Sequence, residues 1–119
     1  MILALATLIA VASAYWDFKS IGPNKLNHWI HGGARVAAYV VGAFLLGADL
    51  QHAVAYWFLV VITHRFALNA FMGWDAFYIG KTAIYDKSVR WIAGLLDIDE
   101  PGQMIVAAEA AAFVLLMVL

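Results

Sequence analysis

The stretch AVAYWFLVVITHRFALNAFMGW, residues 53–74, decides the fold class. It is mostly apolar over the ~20 residues that an α-helix needs to cross a bilayer, and it ends in a glycine and a tryptophan. We therefore predict a transmembrane helix over these residues. His64 and Arg65 lie inside it, and ionisable groups in a membrane helix are costly enough to mark a candidate functional site.

Three further apolar stretches cover residues 2–16, 29–48 and 104–119. The second reaches ~20 residues, whereas the two outer ones have ~15–17 residues, which is enough for a terminal membrane helix. The chain is 66% hydrophobic and 13% charged, far more apolar than a soluble domain. We predict an all-α integral membrane protein in which four transmembrane helices form a single domain over residues 1–119.

The first stretch has one feature of a secretory signal, because Ala12-Ser13-Ala14 resembles a small-residue cleavage site. It lacks the positively charged residues that precede the apolar part of a signal, so we expect a retained helix.

Composition excludes several classes of function. The net charge of −1 argues against a broad basic surface, so we expect no nucleic-acid partner. The chain has no cysteine, which excludes disulfides, iron–sulfur clusters and thiol catalysis.

The loop cations predict an orientation. They are Lys19 and Lys25 in the first loop and Lys81, Lys87 and Arg90 in the third. The second loop, GADLQH, has an aspartate and no cation. Because cytoplasmic loops carry the excess of lysine and arginine, we predict that the first and third loops face the cytoplasm and that both termini lie on the outer side.

Residues 85–96, YDKSVRWIAGLL, predict a short amphipathic helix in the membrane interface. Val89, Ile92, Ala93 and Leu96 share its apolar face; Asp86, Lys87 and Arg90 lie largely on the other. A simple cytoplasmic loop is the alternative. We expect the residues at the lipid headgroups to be Trp16, Lys19, Lys25, Trp29, Trp74, Tyr78, Lys81, Lys87, Arg90 and Trp91.

The segment FYIGKTAIYDK, residues 77–87, contains the Gly-Lys-Thr of a nucleotide-binding loop. That motif needs a glycine at position 75, where this chain has Asp75, a carboxylate that would repel phosphate. We instead expect an elbow after the third helix, with Lys81 toward lipid phosphates and Thr82 capping the next helix.

A longer segment around this elbow, RFALNAFMGWDAFYIGKTAIYDKSVR, resembles a stretch found in small integral membrane proteins of Bacteroidetes and their phages. The matching residues are Arg65, Phe66, Asn69, Gly73, Tyr78, Gly80, Thr82, Asp86 and Lys87. A looser similarity covers Asp17, Lys19, Ser20, Trp29 and His31. That family has no assigned activity, so the resemblance implies a source rather than a mechanism. The implied source is a bacterium or a phage, and the implied location is the bacterial inner (cytoplasmic) membrane.

Arg35, His64, Arg65 and Glu109 form the predicted buried polar cluster, because all four lie ~9–14 Å from the cytoplasmic ends of their helices. The structural interpretation is that Glu109 pairs with Arg35 or Arg65, or bonds to His64, and so fixes helix register. The functional alternative is a proton or ion path, including a holin-like pore, with Glu109 and His64 as carriers.

The histidines raise the alternative of a metal or haem site. His28 and His31 are three residues apart, and His64 could complete a three-histidine set, or His31 and His64 could hold a haem. Their depths disagree, at ~4–5 Å for His31 and ~14–15 Å for His64, and His52 lies at the other side. We therefore predict no catalytic residue, metal or cofactor, and keep a histidine-ligated site in reserve.

Small residues indicate helix–helix contact. Gly32-Gly33 and the alanines that follow give the second helix a small face, and the last helix is rich in alanine. We expect a homo-oligomer or a host membrane complex in contact with lipid. The predicted function is a structural or assembly component rather than an enzyme, with the pore and the histidine-ligated protein as alternatives.

Overall fold

The computed structural model describes residues 1–20, 28–80 and 84–119. Within these ranges the chain is all helical, with five α-helices and no strand. The helices are α1 (Ile2–Ser20), α2 (His28–Leu45), α3 (Leu50–Met72), α4 (Ile84–Leu95) and α5 (Pro101–Val118).

Turn chemistry sets the ends of α3. Asp49 precedes the helix and its carboxylate accepts the backbone N–H of His52 at 2.9 Å. This bond and a second one from the His52 ring lower the pKa of Asp49. At the other end, Gly73 adopts a left-handed conformation with φ of 70°, which glycine accepts without steric cost.

Three of the helices, α1, α3 and α5, are long and apolar enough to cross a membrane by length and composition. The described part of α2, Ile30–Leu45, is apolar but shorter. The prediction of four spans is therefore confirmed only in part.

Helices α1 and α3 run in the same direction, side by side. Ala10 and Val60 belong to one core cluster, and further along both helices Tyr15 packs edge-on against Phe71, with ring centroids 5.8 Å apart. Later residues of α1 therefore contact later residues of α3, as expected for parallel helices.

Helix α2 runs opposite to α1. Near its start Arg35 Nε donates to Ser13 Oγ at 3.0 Å, and near its end Gly42 lies against Leu5. A Cβ at Gly42 would stand 2.8 Å from the Leu5 side chain, so glycine permits this close approach. α2 therefore returns along the length of the bundle from the end of α1 to the beginning of α3.

Helix α5 covers the other side of α3 and is antiparallel to it. Arg65 pairs with Glu109, and Tyr56 packs edge-on against Phe113 at 5.6 Å. α3 is therefore the central helix, with α1 on one side and α5 on the other.

The contact between α1 and α3 is built on small side chains. Ala6, Ala10 and Ala14 follow one another at four-residue spacing on α1 and are almost completely buried. Such a face lets two helix backbones approach closely. Small faces were predicted for the second and last helices, and this face of α1 was not predicted.

The elbow after α3 folds back onto the bundle. The Asn69 amide donates to the carbonyls of Ala76 at 2.8 Å and Tyr78 at 3.0 Å. Arg90 of α4 donates to the carbonyls of Ile79 at 2.7 Å and Gly80 at 3.0 Å. These bonds give the elbow a defined structure. Lys81 and Thr82, with the lipid contact and the cap expected of them, lie outside the described residues.

The buried and exposed residues of α4 differ from those that its sequence pattern predicts. Val89 and Ala93 are buried, but Ile92 and Leu96 of the same predicted face are exposed. Asp86 turns to the elbow and accepts the Gly80 N–H at 3.1 Å, as Arg90 turns to the elbow carbonyls. Two residues of the charged face, Asp86 and Arg90, therefore bond to the backbone of the elbow, whereas Lys87 is exposed.

Candidate functional site

A buried polar network joins α1, α2 and α3 around the carboxylate of Asp17, which is 3% exposed. Oδ1 lies 2.5 Å from His31 Nδ1. Oδ2 lies 2.9 Å from Arg35 Nη2 and 2.7 Å from His64 Nε2. Ser13 extends the network, since its hydroxyl accepts from Arg35. We call these five residues the Asp17 network.

Hydrogen-bond chemistry assigns the protons in the network. An ionised carboxylate only accepts, so His31 donates from Nδ1 and His64 donates from Nε2. Arg35 Nη2 also lies 2.8 Å from His64 Nε2, but this nitrogen cannot accept from Arg35 while it donates to Asp17. Arg35 and His64 are therefore neighbours that share one acceptor oxygen.

A second buried carboxylate, Glu109 of α5, is 2% exposed. Its Oε1 accepts from Arg65 Nη1 at 2.5 Å and its Oε2 accepts from the Tyr85 hydroxyl at 2.8 Å. Burial, followed by this hydrogen bond, raises the pKa of Tyr85 to about 12. The Glu109 group thus links α3, α4 and α5.

The predicted cluster of Arg35, His64, Arg65 and Glu109 is split between these two groups. His64 and Arg65 are consecutive residues, and consecutive side chains on a helix point ~100° apart. His64 therefore faces α1 and α2, and Arg65 faces α5. Of the pairings considered, the structure has Glu109 with Arg65, and not with Arg35 or His64.

Asp17 was not among the predicted residues of the polar cluster, because the first helix was predicted to end at Trp16, whereas α1 continues to Ser20. A signal was present: Ala6, Ala10, Ser13 and Asp17 lie at spacings of four, three and four residues, which is one helix face.

The two histidines of the reserve metal set that are described, His31 and His64, share the Asp17 carboxylate. Their predicted depths differ because each depth is counted from the end of its own helix, and α3 continues ~12 Å beyond His64. Among the described residues, no group of three or more His, Cys, Asp or Glu side chains is arranged to hold a metal. The side chain of His28 lies outside them.

The residues predicted at the headgroups have varied surroundings. Trp16 stacks on His31, with ring centroids 3.7 Å apart and planes 14° from parallel. Lys19 lies over the rings of Tyr15 and Phe18. The indoles of Trp74 and Trp91 and the Lys87 side chain are exposed, while Tyr78 is half-buried and Arg90 is bonded to the elbow. Lys25, Lys81 and the Trp29 side chain lie outside the described residues.

Comparisons of the chain with models of protein families, with curated proteins and with solved structures each gave no match.

Proposed function

We propose that this chain is a structural or assembly component of a membrane complex, acting as a homo-oligomer or with other membrane proteins. The main support is that the two buried carboxylates, Asp17 and Glu109, bond to other residues of the same chain. Asp17 and Glu109 each have both oxygens bonded to side chains of the same chain. These groups hold helices together, so the outward surface is what remains for interaction with partners.

That surface is apolar. Large hydrophobic side chains such as Leu8, Phe44 and Val118 are exposed along α1, α2 and α5. Such a surface suits lipid and neighbouring membrane helices. A bacterial or phage source, as the family resemblance implies, is part of this proposal.

The proposal includes four spans, with α4 at the cytoplasmic interface. Since α1 and α3 run parallel, the chain must return along the bundle between them, and α2 follows that path. The short apolar run of α2, ~24 Å long for Ile30–Leu45, is close enough to the ~30 Å hydrocarbon core for local bilayer thinning to accommodate it.

A carrier role for Glu109 in a pore or proton path has less support. Both of its oxygens are engaged, by an arginine and by a tyrosine whose raised pKa keeps the phenol protonated. Moving a proton through Glu109 would require these bonds to open.

Orientation can be tested because the chain has no cysteine. Single cysteines at Ser20 and Asp49 would be treated with a membrane-impermeant thiol reagent in intact cells. We expect Asp49→Cys to react from outside and Ser20→Cys to react only after permeabilisation. Reaction of both from the same side would contradict a spanning α2.

The assembly role is tested by cross-linking in intact membranes, followed by purification in mild detergent and identification of bound molecules. We expect cross-links to a second copy or to a specific membrane protein. Recovery of a lone, cofactor-free monomer would contradict the proposal, and a bound haem or metal would favour the histidine-ligated alternative.

A further inference from the structure

Four large apolar side chains lie exposed within two turns at the end of α4: Trp91, Ile92, Leu95 and Leu96. We call these residues the α4 patch. Trp91 and Leu95 are four residues apart, as are Ile92 and Leu96, so the patch forms two neighbouring rows on one side of the helix. Trp91, Leu95 and Leu96 are 67%, 66% and 62% exposed. A contiguous apolar surface of this kind marks a site of contact with lipid or with another protein.

The charged residues of α4 leave the patch apolar. The side chains of Asp86 and Arg90 bond to the backbone of the elbow. Lys87 is exposed and lies one turn before Trp91 on the same side of the helix. A lysine stem lies along apolar surface while its ammonium reaches outward, so Lys87 is placed to meet a phosphate beside the patch.

Both ends of α4 are held close to a candidate membrane span. Residues 96–100 join α4 to α5, which is long and apolar enough to cross a membrane. At the other end of α4, the Tyr85 hydroxyl donates to Glu109 of α5 at 2.8 Å. Because α5 crosses the membrane in the proposed function, the patch adjoins the leaflet at the end where that helix begins.

We propose that the α4 patch inserts into this lipid leaflet. Its four side chains contact acyl chains, and Lys87 contacts the phosphate of a headgroup. An interfacial helix has its apolar side in the border between headgroups and acyl chains, where an indole ring is also preferred. The segment after α4 carries exposed Asp99 and Glu100, so the chain returns to water there.

This contact gives the interfacial helix a different lipid-facing side from the predicted one. The predicted apolar face included Val89 and Ala93, which are buried against the rest of the chain. Trp91 and Leu95 take their place on the side toward lipid. The contact depends on the membrane placement of α5 that the proposed function includes.

Site-directed spin labelling of the protein in bilayers of phosphatidylethanolamine and phosphatidylglycerol tests the contact, since the chain has no cysteine. Leu95→Cys and Leu96→Cys would each carry a nitroxide, and its relaxation by oxygen, which concentrates in lipid, would be compared with relaxation by a water-soluble nickel chelate. We expect both labels to favour oxygen and to lie about 5–10 Å into the border between headgroups and acyl chains. A preference for nickel at either position would overturn the proposal. So would protection from both reagents, because a second copy or a partner protein would then cover the patch.

Further labels separate this contact from the proposed function. Asp99→Cys, in the exposed segment after α4, should favour nickel, and Val114→Cys, at a position 55% exposed on α5, should favour oxygen. A preference for nickel at Val114 would overturn the membrane placement and the contact together, whereas Val114 in lipid with Leu95 in water would overturn the contact only. Lys87→Cys should give a label closer to the headgroups than the label at Leu95, and an equal depth would contradict the part assigned to Lys87.

Discussion

Replacing Asp17 by asparagine removes the charge around which three helices meet. The carboxylate is the counter-ion of Arg35 and accepts from two imidazoles. Asparagine has nearly the same shape, but its NH₂ group cannot accept, so at least one of the three donors loses its partner. Arg35 is left as a largely buried cation without a negative partner.

Removing one partner of a buried ion pair costs about 3–5 kcal/mol. The hydrogen bond that asparagine cannot accept is part of that cost, since side-chain hydrogen bonds between membrane helices contribute ~0.6–1.7 kcal/mol each. We expect Asp17→Asn to lower the free energy of unfolding by about 3–5 kcal/mol.

The assay is reversible unfolding by SDS in mixed micelles, followed by the far-ultraviolet circular dichroism of the helices. Asp97→Asn is the matched control, because Asp97 is exposed and has φ of 56°, a conformation that asparagine tolerates. The control should stay within about 0.5 kcal/mol of the native chain. A loss below about 1 kcal/mol for Asp17→Asn would refute the central place given to this carboxylate.

The remaining predictions concern α4 and α5. The pKa of Tyr85 is raised from 10.0 to about 12, so the contribution of this phenol to the free energy of unfolding is complete below pH 10 and is lost as the pH rises to about 12. Tyr85→Phe should therefore abolish that alkaline loss of stability in a pH series of unfolding curves. Glu109→Gln leaves a buried arginine without its counter-ion and should cost about 3–5 kcal/mol in the same SDS assay, and an effect within 0.5 kcal/mol would contradict a structural ion pair. Gly102→Ala should lower the midpoint temperature of unfolding, because its Cβ would collide with a backbone carbonyl of the elbow. Gly94→Ala, whose Cβ would lie in open space, is the control and should keep or raise that temperature. Equal midpoints for the two variants would contradict the packing of the elbow on α5.

Hydropathy predicts where the helices lie because a membrane helix must be apolar along its length. It does not predict their ends, which depend on local bonds. Trp16 looked like the boundary of the first helix, yet α1 continues to Ser20 and carries Asp17 into the bundle. The second helix ends at Leu45, before Gly47 with its positive φ, and not at residue 48.

Residue types of the site were predictable, but their partners were not. Depth along a helix shows how far a side chain lies from the helix end, and it says little about the direction in which the side chain points. His64 and Arg65 are consecutive and have similar depths, so they were predicted to belong to one cluster. In the structure His64 faces α1 and α2, whereas Arg65 faces α5. The pairing of Asp17 with His64 depends on the parallel course of α1 and α3, and its pairing with His31 depends on α2 starting beside the end of α1. No local pattern in the sequence specifies either arrangement.

The central claim, that this chain works as part of a larger membrane assembly, is tested most directly by the mass of the native particle. The protein would be extracted from its own membrane together with surrounding lipid in polymer-bounded discs and measured by native mass spectrometry. The account predicts a multiple of the 13.0 kDa chain, or one chain together with a second membrane protein. A single 13.0 kDa chain accompanied only by lipid would contradict it.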